Sequence, residues 1–197
     1  MTKPIFDMQD IKDTIGSLHE YTNNKRDKKI VKKFTINLPK QKGSKNMLTV
    51  MEELQELNIE IQKYICNLPS QNKDHLTEEF ADVMLCTRFM QSLYKFKTKE
   101  LIQDIKPSAL GDEILRETDD IIILSLATYI FSNMAKAASK VMRRKETKDF
   151  LIPYIHDTEI ALCIVQRIFD ISEYEIKKHM HAKLLRQKIR NKTNTNQ

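Results

Sequence analysis

The chain has 197 residues, of which 41% are apolar and 30% are charged, and its formal net charge is +6 at pH 7. This length is enough to bury a hydrophobic core, so small scaffolds that depend on disulfides are excluded. The sequence contains three glycines and five prolines, and it lacks the Gly-rich phosphate-binding motifs of Rossmann and P-loop proteins. Few helix breakers together with many Leu, Ile, Met, Lys and Glu residues predict an all-α fold.

A basic N-terminal extension is expected over residues 1–45. Nine Lys/Arg residues and one acid lie within residues 25–45, where Pro39 and Gly43 interrupt any helix. The alternating apolar residues of 34–38 allow a short extended segment. We therefore expect this part of the chain to be partly ordered, with weak internal structure.

The first helix pair is predicted within residues 46–106. Apolar residues recur every three or four positions for about six turns from Asn46, and again over residues 74–95. The polar segment 68–72 is the predicted loop between the two helices. The short loop implies that the two helices pack against each other.

The second part of the chain, residues 107–197, repeats this layout. Its predicted helices cover residues 119–144, 149–169 and 172–190. A capping box of Ser172 and Glu175 opens the last helix, and a disordered polar tail follows it. Two helix pairs with short loops favour a four-helix-bundle core with flanking helices.

Four acids in the first helix pair have a spacing that suits a metal site. Glu53 and Glu56 are three positions apart on one helix, and Glu79 and Asp82 are three apart on the next. Residues with this spacing share a helix face, and the 22 residues between the two pairs are enough for the chain to turn back. Clustered carboxylates raise one another's pKa, and a hard divalent cation such as Mg²⁺ removes that conflict.

An ordinary solvated helix face is the alternative explanation for these acids, because the same spacing is common on exposed helices. The neighbouring acids do not form an equivalent set, since the third residue after Glu52 is Gln and the third after Glu78 is Ala. Apolar residues lie close to Glu53 and flank Asp82. This context favours the metal site.

The strings EELQEL (Glu52–Leu57) and EEFADVML (Glu78–Leu85) resemble the two halves of the ExxE…ExxD signature of MazG-like nucleoside triphosphate pyrophosphohydrolases. This all-α superfamily includes the dimeric dUTPases, and the resemblance covers about residues 46–95. It implies that the four acids hold Mg²⁺, for which Mn²⁺ can substitute. It also implies release of pyrophosphate from a nucleoside triphosphate, with dUTP or another deoxynucleotide as the expected substrate.

The second half resembles the same family in a degenerate, phage-type form. The segments that begin NMAKAASK and LIPYIHDT look like its helix pair. The positions that correspond to the four acids are Ile130, Asn133, Tyr154 and Asp157. Because three of these are not carboxylates, this half is not expected to bind a metal. It is interpreted as a repeat that supplies the surface of a partner subunit, which makes the chain an internal pseudo-dimer or part of a homodimer.

Lys183 and Arg186 match the Lys and Arg that follow the core helices in this family, whereas Ser108 occupies the Lys position of the first half. The resemblance implies that these two cations of the second half contact substrate phosphates beside the acids of the first half. A catalytic carboxylate, either Glu53 or Glu56, is expected to orient or deprotonate the attacking water.

The alternative function is a non-catalytic helical module that binds nucleic acid or a protein through its basic arm and tail. Seven Lys/Arg residues and no acid lie within residues 177–192, which suits a solvated face, phosphate binding or nucleic-acid binding. No membrane association is expected, because the longest apolar run, residues 121–131, is about half a membrane span. Three cysteines without metal-binding spacing and a charged N-terminus predict a cytoplasmic protein.

Overall fold

The computed structural model describes residues 6–21, 43–94, 96 and 104–193. These ranges contain helices and no strand, so the predicted all-α fold is confirmed. The α-helices are α1 (Met8–Tyr21), α2 (Gly43–Ile65), α3 (Lys73–Leu93), α4 (Ala109–Arg116), α5 (Asp120–Met142), α6 (Ile152–Ile168) and α7 (Glu173–Thr193). A 3₁₀ turn at Lys148–Leu151 precedes α6.

The helices α2, α3, α5 and α6 form the core of the bundle. The largest helix contact joins α2 to α5, while α3 packs on α2 and α6 packs on α5. The apolar stripe of α2, with Leu54, Leu57 and Ile61 fully buried, meets Phe80 of α3 and Phe131 of α5 in one hydrophobic cluster. Burial of this stripe, rather than helix propensity, stabilises helices of this kind in water.

The N-terminal extension contains a helix that the sequence analysis did not predict. In α1, Ile11 and Ile15 are almost completely buried, and α1 packs on α6. The expectation of weak internal structure is therefore wrong for residues 8–21. The signal was present, because Ile11 and Ile15 are four positions apart and share a helix face. The predicted extended segment at 34–38 lies outside the described residues.

The helix α6 is buried on every side. All residues from Ile155 to Gln166 are buried, since α1 and α4 cover parts of α6 that α5 leaves open. A helix that is buried around its whole circumference needs such neighbours on all faces. The short helix α4, which the sequence analysis also missed, therefore belongs to the core.

Among the described residues, α5 is the one helix long and apolar enough to cross a membrane. Half of its most apolar window is buried inside the protein, where it packs on α2 and α6. A core helix of a bundle has this same composition.

The first helix of each predicted pair ends in the same way. Asn67 after α2 and Arg144 after α5 both have positive φ, at 49° and 55°. Each is followed by a backbone N–H that bonds back across the helix end: Leu68 to Lys63 at 2.8 Å and Lys145 to Lys140 at 2.9 Å. These are matching C-terminal caps. The spacing between Asn67 and Arg144 equals the spacing between Glu53 and Ile130 in the predicted repeat.

The segment that joins the two halves is fixed by Asp157 of α6. The Ser108 backbone N–H and hydroxyl donate to the Asp157 carboxylate at 2.9 and 2.6 Å, and the Ser108 hydroxyl caps α4. A side chain at position 111 would clash with these groups. A Cβ added to Gly111 would lie 2.5 Å from Asp157 Oδ1 and 2.9 Å from Pro107 Cβ.

We expect Gly111→Ala to lower the free energy of unfolding by about 1–3 kcal/mol, because overpacking exceeds the gain in helix propensity. Urea unfolding followed by circular dichroism measures this. The matched control is Gly16→Ala in α1, where an added Cβ has no neighbour within 4 Å; it should raise stability by up to about 1 kcal/mol. Equal effects of the two substitutions would contradict the close contact at Gly111.

Candidate metal centre

Three of the predicted acids converge where α2 and α3 face each other. One carboxylate oxygen from each of Glu53, Glu56 and Glu79 lies within 4.8 Å of the others. Glu53 is 7% exposed, Glu79 is half-buried, and Glu56 is exposed. The i,i+3 spacing on α2 and the return of the chain through the short loop to α3 bring these groups together.

The fourth acid, Asp82, lies outside this group of three but is connected to it by a lysine. Asp82 is 4% exposed, and its carboxylate accepts a hydrogen bond from the Lys183 ammonium. The same ammonium lies 3.2 Å from Glu53 Oε1. Lys183 of α7 therefore bridges an acid of α2 and an acid of α3.

The cluster fits a hard divalent cation. Glu53 Oε2, Glu79 Oε2 and Asp82 Oδ1 are buried and have no hydrogen-bond partner within the described part of the chain. Buried carboxylate oxygens without a partner are costly. Oxygen donors of this type are the ligands that Mg²⁺ and Mn²⁺ prefer. Glu53, Glu79 and Asp82 would hold such an ion, beside the exposed Glu56.

Burial and mutual repulsion raise the pKa values of the acids. Burial, with the charges of Glu56 and Asp82, raises the pKa of Glu79 to about 8. Burial raises the pKa of Asp82 to about 6, against the opposing effect of its hydrogen bond from Lys183. The pKa of Glu56 is also raised, by burial and by its neighbour Glu53. The metal-free cluster therefore retains protons near neutral pH.

A second cation–acid pair lies at the edge of the cluster. Arg186 Nη2 donates to Glu78 Oε1 at 2.6 Å, and this hydrogen bond holds the pKa of Glu78 below its usual value. The sequence analysis set Glu78 aside as a spare acid. Glu78 contacts a residue of α7 that is remote in sequence, so no local sequence pattern could have identified this contact.

The last helix reaches the cluster because α7 packs along α3. Its apolar stripe, Ile176, Met180 and Leu184, is buried. Near the start of α3, Asp74 Oδ1 contacts His179 Nε2 at 3.2 Å. The predicted capping box is present, since the Ser172 hydroxyl accepts from the Glu175 N–H at 3.2 Å, while the Ser172 hydroxyl and N–H donate to the Glu175 carboxylate. These contacts position the face of α7 that carries Lys183 and Arg186.

Two contacts join residues that correspond in the predicted repeat. Lys183, after the second helix pair, contacts Asp82 of the first, and Ser108, after the first pair, contacts Asp157 of the second. The other three positions of the second half are the buried Ile130 and the half-buried Asn133 and Tyr154. In the described ranges, no second acid cluster with metal-binding geometry occurs.

The family comparison identifies the segment that carries the acids. Residues 41–107 match the family model of the MazG nucleotide pyrophosphohydrolase domain. This part of the chain is MazG-like. The matched segment contains α2 and α3 with all four acids and ends before α4. No curated protein and no solved structure matches the chain significantly.

The raised pKa values predict a pH-dependent stability of the metal-free protein. The folded state retains a proton on Asp82 up to about pH 6 and on Glu79 up to about pH 8, at pH values where the unfolded state has already lost both. The contribution of these two groups to stability is therefore present at low pH and is lost as the pH rises through 6 and then 8. We expect the Tm in EDTA to decline across this range.

Thermal unfolding of Glu79→Gln tests this, because the variant should lack the decline between about pH 6 and 8. The control Glu113→Gln, at an exposed position of α4, should follow the wild-type curve. Coincident curves for wild type and Glu79→Gln would contradict the assignment of the proton to Glu79.

Proposed function

We propose that this protein is a divalent-metal-dependent hydrolase that converts a nucleoside triphosphate to the monophosphate and pyrophosphate. Mg²⁺ is the proposed ion, and Mn²⁺ is a proposed substitute. The single observation that carries the proposal is the convergence of Glu53, Glu56 and Glu79 within 4.8 Å, in a segment that matches the MazG pyrophosphohydrolase domain.

The four acids divide into holding and water-orienting groups. When bound, a divalent ion would offset negative charge on the phosphates and on the reacting oxygens. The unpaired oxygens of Glu53, Glu79 and Asp82 suit the holding role. Glu56 is the exposed member of the cluster, and its raised pKa makes its carboxylate a better proton acceptor. We therefore assign the orientation and deprotonation of the attacking water to Glu56 rather than to Glu53, which contacts Lys183.

The cations of α7 are the proposed phosphate-binding groups. A triphosphate that approaches four clustered carboxylates is repelled unless positive charge lies beside them. The side chains of Lys183 and Arg186 are 31% and 51% exposed at the edge of the cluster, so both can reach a bound substrate. The planar guanidinium of Arg186 suits bidentate contact with phosphate oxygens.

One chain can supply the whole site by itself. The reciprocal contacts of Lys183 with Asp82 and of Ser108 with Asp157 support our proposal that the chain is an internal pseudo-dimer. In this proposal residues 46–106 carry the metal site and residues 107–197 supply the phosphate-binding cations. A homodimer is the alternative.

For the substrate we propose dUTP or another deoxynucleotide, and for the compartment we propose the cytoplasm. Cys66, Cys86 and Cys163 are free thiols, and burial raises the pKa of Cys163, which keeps this thiol protonated and unreactive. Reduced thiols suit a reducing compartment.

We expect Glu56→Gln to lower pyrophosphate release at least about 100-fold, because the amide cannot accept a proton from water. A panel of NTPs and dNTPs with Mg²⁺, assayed for pyrophosphate, measures this, and circular dichroism checks that the variant is folded. The matched control is Glu52→Gln, at an exposed position on the same helix, which should retain activity.

The same panel distinguishes the enzyme from the binding module. If the wild-type protein released no pyrophosphate from any nucleotide with Mg²⁺ or Mn²⁺, the non-catalytic alternative would replace the enzyme. Binding of DNA with a strong dependence on salt concentration would then be the expected property of its basic segments.

A further inference from the structure

The Lys183 ammonium contacts two of the acids that would hold a metal. It bonds to Asp82 Oδ2 and lies 3.2 Å from Glu53 Oε1. The other oxygen of each carboxylate is buried without a partner among the described residues. Each of these two acids therefore uses one oxygen for the ammonium and has the other available for a second positive charge.

The charges at the site require more than this one ammonium. Lys183 supplies one positive charge against the four acids, since Arg186 pairs with Glu78, which is not one of the four. A divalent ion on the same carboxylates would lie close to the ammonium in a site of which Glu53 and Asp82 form the buried part. Two positive charges that contact the same carboxylates repel each other, most strongly beside the buried groups. The ammonium and the divalent ion therefore compete.

The side chain of Lys183 can leave the cluster without a change of fold. Its stem is flexible, and 31% of the side chain is exposed, whereas the side chains of its partners Glu53 and Asp82 are 9% and 4% exposed. Because its partners are buried and its own side chain is partly exposed, the ammonium would leave the cluster towards solvent. The rest of α7 is held on α3 by its own buried stripe.

We propose that Lys183 is a built-in counter-ion of the acid cluster, which holds Glu53 and Asp82 together when no divalent cation is bound and is displaced towards the substrate phosphates when one binds. This inference rests on the proposed metal site and gives the lysine two successive partners. Lys183 is thus a positioning residue for the acids before it is a phosphate ligand. Binding of the metal would thus bring the Lys183 ammonium to the substrate phosphates.

The first test measures binding of Mn²⁺ alone, by isothermal titration calorimetry, to wild type, Lys183→Met and Lys177→Met. Lys177 is the matched control because it lies on the same helix, is 27% exposed, and pairs with Glu173, outside the cluster, at 2.8 Å. Loss of the competing ammonium should tighten Mn²⁺ binding by about tenfold in Lys183→Met, the scale of one charge-assisted hydrogen bond. Lys177→Met should bind Mn²⁺ as wild type does. Unchanged or weaker binding by Lys183→Met would overturn the proposal.

The second test uses the wild-type protein and does not depend on folding of a variant. Lysine acylation by a succinimidyl ester, read by mass spectrometry, should increase at Lys183 when Mn²⁺ is added, while acylation of Lys177 in the same sample stays constant. Acylation of Lys183 that is unchanged or reduced by Mn²⁺ would contradict displacement of the ammonium.

The two proposals fail in different ways. If Mn²⁺ binds the wild type no better than it binds Glu79→Gln, the metal site itself is wrong. If Mn²⁺ binding depends on Glu79 but is indifferent to Lys183→Met, the metal site stands and only the counter-ion role of Lys183 is rejected.

Discussion

Repulsion among four carboxylates at the contact between α2 and α3 is the constraint on which the proposed site depends. Burial of Glu53 and Asp82 removes the water that would otherwise screen their charges. The charge conflict can be relieved by protonation, by an internal cation or by a metal ion. The raised pKa values of Glu79 and Asp82 and the bridging position of Lys183 are the first two of these in the metal-free protein. The carboxylate oxygens without a hydrogen-bond partner among the described residues indicate that protonation and Lys183 relieve the repulsion only in part.

Asp82 and Asp157, which correspond in the predicted repeat, have different hydrogen-bond partners. In the first half, Asp82 is contacted by an ammonium, and three further acids lie nearby. In the second half, Asp157 accepts an N–H and a hydroxyl from Ser108, and its neighbours in the predicted repeat are not acids. A single carboxylate satisfied by two donors needs no cation. Asp157 therefore anchors α4 instead, and the part of the chain that the structure describes has one acid cluster with metal-binding geometry, where the predicted repeat, if symmetric, would have two.

Helix α7 connects the fold to the proposed chemistry. Its apolar residues pack on α3, which places a basic helix beside the acid cluster. In the proposed pseudo-dimer, α7 thus supplies within the same chain the cations that a separate subunit would bring. This arrangement explains why a basic helix with no acid over residues 177–192 does not require a nucleic-acid partner: two of its cations, Lys183 and Arg186, have partners within the protein.

The amino-acid sequence by itself determined the helical class, the two helix pairs and the face of α2 and α3 on which the acids lie, because helical periodicity and i,i+3 spacing are local properties. The sequence also predicted the capping box that Ser172 and Glu175 form. Only the tertiary structure decided that α1 and α4 cover α6, that Arg186 pairs with Glu78 and that Lys183 bridges Glu53 and Asp82. These contacts join residues far apart along the chain, and their geometry depends on how whole helices pack, which no local pattern specifies.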